Sequence, residues 1–306
     1  MFNGIVNLYK ERDFTSLDAV AKSRGIFGQK KIGHTGTLDP LAEGVLILCL
    51  GKATKLADII VSREKEYRCT MLLGLETDTE DITGKVIKET ESIKVTSLSE
   101  ETIREVISSF IGEQKQVPPI YSALKINGRK LYDYARSGES VEIPARDITV
   151  YDIRIDKIML PEVEFVVRCS KGTYIRSLCR DMGRKLNVGG VMKSLIREEV
   201  NGFYSKDAYT LDQLSELKEN GELEKAILPI DALLKNFPVA EIKPEGDKYL
   251  SNGNKIYMNQ LLYDEKDKER IKTAEFIRIN RNGELFALYK YDKEDDILRN
   301  FKMLGE

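Results

Sequence analysis

The chain has 306 residues, 42% hydrophobic and 32% charged, which supplies a sizeable core for one large domain or two and excludes a disordered chain as the default. A net charge of −2 gives no general attraction to nucleic acid, so any basic surface must be local. The longest apolar run, GVLILCLG, is far shorter than the roughly 20 residues that span a bilayer, and the opening MFNGIVNLYKERDF lacks the basic and apolar segments of a secretory leader, so a cytoplasmic protein without membrane association is expected.

In chain order, NGIVNLY alternates as a strand, and Thr15 with Asp18 resembles a capping box opening a helix over SLDAVAKSRGIF. A glycine-rich loop, GHTGTLDPLAE, leads into GVLILCLG, which reads as a buried strand. KEYRCTMLLG reads as a strand with Tyr67, Cys69, Met71 and Leu73 on one face, and ETDTEDITGKV is polar and turn-rich. SLSEETIREVISSFIG is a helix: Ser99 caps it, Glu100 and Glu101 fill its first turn, and Ile103, Val106, Ile107 and Phe110 form its apolar stripe. Gly112 is expected to end it.

The insertion QVPPIYSALKINGRKLYDYARSGESVEIPAR follows, and Pro118–Pro119 exclude a central strand there. From Lys115 to Arg136 it carries five basic residues against one acidic residue, interleaved with Tyr121, Tyr132 and Tyr134. YDIRIDKIM and VEFVVRCS read as strands, the second turning Val163, Phe165, Val167 and Cys169 to one side. GTYIRSLCRDMGRKL reads as a helix with Ile175, Leu178, Met182 and Leu186 inward and Arg176, Arg180 and Arg184 on another face. Two short helices follow, one capped by Thr210 with Gln213. At KNFPVAEIKP the texture changes: residues 238–306 hold 13 basic and 14 acidic residues, a short helix, a charged run and the hairpin EFIRINRNGELFALYKY turning at Asn282-Gly283, a small strand-rich unit.

Cys49, Cys69, Cys169 and Cys179 are scattered without a C-x-x-C pair, which favours buried reduced thiols over disulfides or a metal site. With one histidine in the chain, a zinc site would need mostly carboxylates, so no metal is expected. Phosphate-loop, dinucleotide and G-x-S-x-G motifs are absent, leaving the chemistry to carboxylates, tyrosines and arginines. Asp39, held before Pro40 in extended or turning backbone, either caps a turn or reacts; Gly33, Gly36 and Gly44 permit close approach of a backbone or a ligand. Arg176, in an apolar helix start, needs a counter-ion, which Asp39 would provide; alternatively it belongs with Arg180 and Arg184 to a solvated or phosphate-binding face. Tyr67 is a core tyrosine or a ring against a base and a phenol in proton transfer. KINGRKLYDYAR is an ordinary basic loop or an RNA grip, with cations for phosphates and tyrosines for stacking. Asp78, Glu80 and Asp81 read as a capped turn rather than a metal site.

These pieces together resemble the TruB family, tRNA pseudouridine synthases acting on the T-loop uridine. The most specific is GHTGTLDPLAEGVL; GKATKL, KEYRC, GLETDTEDITG, QVPPIYSALKINGRKLYDYAR, KGTYIRSLCRDMG and LIREEVNGF follow in the family's order over about residues 2–237. The resemblance implies an α+β pseudouridine synthase fold, a mixed, mainly antiparallel sheet flanked by helices and loops, over 1–237, with an RNA-gripping insertion at about 124–146. It implies a β-rich PUA-like domain over 238–306. By position, Asp39 matches the nucleophile, Arg176 its partner, and Tyr67 the tyrosine that stacks on the base and is a candidate to accept the C5 proton. His34, Tyr174, Leu195, Lys10, Lys125, Arg129 and Lys130 match substrate-binding positions, His34 packing against the T-loop and holding the target nucleotide out. The implied partner is the tRNA T stem-loop, bound by a monomer, with uridine 55 isomerised and no cofactor or metal. The family's N-terminal KPxGxTSH stands here as KERDFTSL, with Glu11, Asp13 and Leu17 replacing proline, glycine and histidine; Glu198 and Glu199 stand where threonine and a basic residue are common.

Two other classes fit parts of the sequence. A non-catalytic RNA-binding protein would not need Asp39, Arg176 and Tyr67 together. A glycosidase-like hydrolase would pair Asp39 with Asp78 or Asp81.

Overall fold

The computed structural model of the chain describes residues 1–60 and 64–305; Glu306, the last residue of the expected C-terminal unit, lies outside them. The backbone is organised by a nine-stranded sheet. Its seven-strand path runs Gly4–Lys10, Ala42–Leu50, Gly190–Val200, Glu64–Leu73, Glu162–Ser170, Arg146–Met159 and Gly112–Gln116, with Ile32–Thr35 and Phe203–Tyr204 paired at its side. Most pairings are antiparallel; Leu195–Arg197 runs parallel to Ala42–Gly44. This is the α+β, mainly antiparallel arrangement expected.

Each strand forms for a legible reason. In Glu64–Leu73 burial alternates, with Tyr67, Cys69, Met71 and Leu73 inward. Ala42–Leu50 is buried on both faces, which explains why its sequence does not alternate. Leu46, Leu48 and Leu50 face the core beneath the Ser16–Phe27 and Ile175–Lys185 helices. Val45, Ile47 and Cys49 face a second cluster shared with Leu234, Leu288 and Leu304. Leu288 and Leu304 come from the C-terminal region, whose five-stranded sheet of Val239–Ile242, Leu261–Leu262, Ile277–Arg281, Glu284–Asp292 and Ile297–Met303 lies against the back of the large sheet. Burying each of these leucines contributes about 1.5–3 kcal/mol, and a Lys302–Asp58 ion pair at 3.0 Å borders the contact.

The helices begin where the sequence predicts. Thr15 and Asp18 close a capping box over Ser16–Phe27, and Thr210 and Gln213 close another over Leu211–Glu219. Ser99 caps Glu100–Ser108, but that helix ends at Ser109; Gly112, expected to stop it, instead opens the edge strand Gly112–Gln116. The hairpin turns at Asn282-Gly283, both with positive φ. All four cysteines are buried and free, and Cys69 and Cys179 touch, Sγ to Sγ, at 3.6 Å. No helix of the described residues is long and apolar enough to cross a membrane.

Candidate active site

A cavity of about 400 Å³ opens between the Gly36–Ala42 loop, the large sheet and the start of the Ile175–Lys185 helix. Asp39, Tyr67, Tyr174, Arg176, Leu195 and Arg197 line it. Asp39 is the one carboxylate among its described lining residues, so the second carboxylate of a glycosidase is missing.

The Asp39 loop is clamped from four sides. Leu38 and Leu41 are buried, and the Ser16 hydroxyl both donates to Leu38 O and accepts from Leu38 N. Asp13 N donates to Pro40 O at 2.9 Å. Arg197 donates to Gly36 O at 2.9 Å and, through Nε, to Val45 O at 2.7 Å. Lys10 is fully buried and donates to Glu11 O, Phe14 O and Pro40 O. Lys10 was expected to touch substrate; here its ammonium ties the 11–14 segment, through Glu11 O and Phe14 O, to Pro40 O beside Asp39. Asp13 adopts φ 67°, so it occupies the left-handed region where the family pattern has glycine.

Burial pulls the Lys10 ammonium down to about pKa 8, with Glu43, Asp39 and Asp13 pulling upward. Its folded pKa therefore lies below the unfolded one. Between about pH 8 and pH 10.5 the unfolded chain binds more protons, so Lys10's contribution to stability rises with pH across that window. Lys10→Met should lower stability by about 1–3 kcal/mol at pH 7, because three carbonyls lose a donor, and should flatten that rise. Denaturant unfolding of both proteins from pH 7 to 10.5 checks this; equal stability at pH 7 would rule out the clamp.

Close approach explains Gly36 in the loop and Gly44 in the strand that follows it. A Cβ on Gly44, at φ 95°, would stand 2.4 Å from Arg197 O, and one on Gly36 would stand 3.3 Å from the Arg197 guanidinium. The clearance at Gly44 serves the protein's own backbone, while Gly36 also lines the cavity.

Arg176 lies at the helix start and is nearly inaccessible, its side chain 5% exposed against 38% for Asp39. Its Nε lies 2.9 Å from Asp39 Oδ2. This is a contact of charges rather than an aligned hydrogen bond, since the Nε–H meets no acceptor along its own direction. The terminal nitrogens donate to Thr79 O and Tyr121 O, both at 3.0 Å, and Asp81 lies 4.0 Å away. Arg180 pairs with Glu80 and Asp181, and Arg184 with Glu76. The three arginines therefore pair with carboxylates rather than standing free: Arg176 and Arg180 are largely covered, Arg184 stays exposed, and together they brace the helix against residues 76–81. Within that segment Asp81 accepts from Thr79 and Thr83, and Asp78 from Lys85 N, the capped turn expected.

Tyr67 projects from the middle of the sheet, 8% exposed. Burial raises its phenol pKa, and the Arg197 guanidinium beside it pulls the other way. Tyr174 sits at the N-cap of the Ile175–Lys185 helix, where Gln116 accepts from its N–H and donates to its carbonyl. Burial raises its phenol pKa too, opposed by Ser122 and Arg176. Leu195 supplies an apolar wall beside them.

The other expected substrate contacts lie outside this cluster. His34 is half-buried on the Ile32–Thr35 strand and does not line the cavity; burial and Arg197 lower its pKa. Lys125, Arg129 and Lys130 stand on a two-stranded hairpin followed by the Leu131–Ser137 helix. Lys125 is exposed. Arg129 binds Glu139, Asp133 O and Ser137 Oγ and lies 4.5 Å over the Tyr134 ring, while Lys130 donates to the Tyr132 hydroxyl. These two cations fold the insertion on itself, and Ser122–Leu124 at its base reach the cavity wall.

A carboxylate against a buried guanidinium, with a phenol and an apolar wall across a cavity, is a set for nucleophilic chemistry on a flat ring and its sugar. Residues 24–175 match the family model described as TruB family pseudouridylate synthase (N terminal domain). Residues 176–235 match that of the tRNA pseudouridylate synthase B C-terminal domain. The chain is 46% identical over 260 residues to tRNA pseudouridine synthase B of Alkaliphilus oremlandii, covering 85% of each chain. It is 42% identical over 292 residues to that of Clostridium tetani, covering 95% of this chain and 96% of the relative. The chain belongs to the TruB family of pseudouridylate synthases.

Among solved structures, this TruB-family chain is similar to one titled "Crystal Structure of a Cbf5-Nop10-Gar1 Complex", with a TM-score of 0.68, 27% identity, and coverage of 98% of this chain and 84% of that chain. The enzyme is thus an RNA pseudouridine synthase, an isomerase that breaks the N1–C1′ bond of a uridine and rejoins the base through C5. The two family models meet between Ile175 and Arg176, at the start of one helix, so the cavity draws on both.

Sequence reasoning missed Arg197 and Lys65 in the cavity wall. The signal for Arg197 is its position two residues after Leu195 on the same face of a strand. Lys65 carries the same signal, two residues before Tyr67 on the inward face of its strand, and burial and Arg197 lower its pKa.

Proposed function

We propose that this chain converts uridine 55 in the T-loop of tRNA to pseudouridine. The observation that carries the reading is the Asp39–Arg176 contact in a cavity walled by Tyr67 and Leu195. The T stem-loop binds, the target nucleotide leaves its stack at a cost of a few kcal/mol, and its base enters the cavity against Tyr67 and Leu195. Asp39 attacks C1′ as the nucleophile and the glycosidic bond breaks. Arg176 holds the carboxylate in place, in surroundings where charge acts more strongly than in water. The uracil turns, C5 bonds to C1′, and Tyr67 accepts the C5 proton. Tyr174 lines the site, and His34 packs against the T-loop to hold the nucleotide out.

Residues 1–237 form the catalytic unit. The 124–146 insertion closes over the RNA, with Lys125 on a phosphate and Arg129 and Lys130 exchanging internal contacts for RNA ones. Residues 238–306 form a PUA-like domain, and the enzyme acts as a cytoplasmic monomer without metal or cofactor. Incubation with a T-arm minihelix, followed by chemical mapping of pseudouridine, should place the product at position 55 alone. An unmodified minihelix and an unmodified full tRNA would overturn the assignment.

A further inference from the structure

Arg197 is among the largest fully buried side chains, 1% exposed. Its hydrogen bonds to Val45 O and Gly36 O hold the guanidinium without neutralising it, and no carboxylate among the described residues pairs with it. A guanidinium keeps its charge in a protein, and a buried charge without an opposite is unfavourable. Here that charge stands in the wall of the reaction cavity. In the sheet, Arg197 is the direct cross-strand neighbour of Tyr67, and both side chains line the same cavity.

We infer that Arg197 is a positioning residue for proton transfer, holding the Tyr67 phenol in place and supplying the positive charge that a transient Tyr67 phenolate requires. The inference rests on the reading of Tyr67 as the group that takes the C5 proton. The phenol gives its proton to N1 of the detached uracil, and the O–H electron pair stays on oxygen. Once C5 has bonded to C1′, that oxygen takes the C5 proton. The C5–H pair re-forms the C5=C6 double bond, and the phenol is restored. One proton leaves C5 and one arrives at N1, with no other acid or base consumed.

The groups facing the phenol fit this assignment. Burial opposes the phenolate most, and Cys169 from the Glu162–Ser170 strand and Asp39 from its loop oppose it too, so Arg197 from the Gly190–Val200 strand is the neighbour that favours it. Arg176 and Tyr174, at the helix start, and Lys65, two residues away on the same strand, complete the surrounding set. Arg176 is already committed to Asp39, Thr79 O and Tyr121 O.

The test is tritium release from tRNA labelled at uridine C5, followed across pH. Arg197→Met should lower kcat about 10²-fold with tRNA affinity unchanged, and should move the basic-group limb of the profile to higher pH. Site-specific 3-fluorotyrosine at position 67, a more acidic phenol, should recover about tenfold of that loss. Arg197→Lys should fall between parent and Arg197→Met, because the charge remains without the planar fork. If Arg197→Met does not fold, fluorotyrosine in the parent must still move the limb to lower pH, and Arg197→Lys must still lower kcat. A parental rate and profile in Arg197→Met overturns the inference. So does a loss that neither moves the profile nor responds to fluorotyrosine, which would mark a structural arginine. Parental turnover by Tyr67→Phe would instead remove the reading of Tyr67 beneath it.

Discussion

Asp39→Asn should abolish pseudouridine formation, lowering kcat by at least about 10⁴-fold, while the protein still folds and still binds tRNA. The substitution keeps the size and shape of the side chain and removes only its charge and nucleophilicity. The loop that carries it is held through Ser16, Lys10, Asp13 and Arg197, none of which binds the Asp39 side chain, so the backbone should stay in place. Asp39 is also the one carboxylate among the described lining residues, which leaves no neighbour to substitute for it. Pseudouridine mapping under single-turnover conditions, with a filter-binding measurement of tRNA affinity, separates chemistry from binding. Turnover of Asp39→Asn near the parental rate would sink the nucleophile assignment.

Arg176→Lys should lower kcat about 10²–10³-fold with only a modest loss of stability. The guanidinium serves three directions at once: Asp39 through Nε, and Thr79 O and Tyr121 O through its terminal nitrogens. An ammonium is a compact point charge that cannot span that fork. It would satisfy some of these groups and leave the Asp39 carboxylate less well held. Arg176→Ala should be worse in stability as well, because two carbonyl acceptors lose their donor. The measurement is kcat and KM on a T-arm minihelix together with the melting temperature. A raised KM with kcat unchanged would move Arg176 from holding the nucleophile to binding RNA.

The elements legible in the sequence were those whose signal is local. Thr15 with Asp18 and Thr210 with Gln213 announce helix starts within four residues, and both capping boxes form. Alternation through Tyr67, Cys69, Met71 and Leu73 announces a strand and its inward face. The Gly190–Val200 strand was not legible, although it is central and joins Ala42–Leu50 to Glu64–Leu73. Lys193, Arg197, Glu198 and Glu199 break its apolar pattern, and its register shifts between Met192 and Ser194 and between Arg197 and Glu199. Gly112 misled for a related reason: glycine after a helix signals a stop, and here it starts an edge strand instead.

The sequence by itself determined the family, through the order and spacing of GHTGTLDPLAEGVL, KEYRC and KGTYIRSLCRDMG. It also singled out Asp39, Tyr67, Tyr174 and Arg176 as residues to find together. The tertiary structure decided what each charge does, because a counter-ion is set by proximity in space and not by separation along the chain. Arg176 meets Asp39 on a loop from far earlier in the sequence. Lys10 turns inward to three carbonyls rather than outward to substrate. Arg129 and Lys130 bind within their own insertion, and Arg197, one polar residue in a mixed strand, becomes a buried charge beside the Tyr67 phenol. Whether a charged side chain is solvated, paired or left for the reaction depends on which strands and helices cover it, and only the folded chain contains that information.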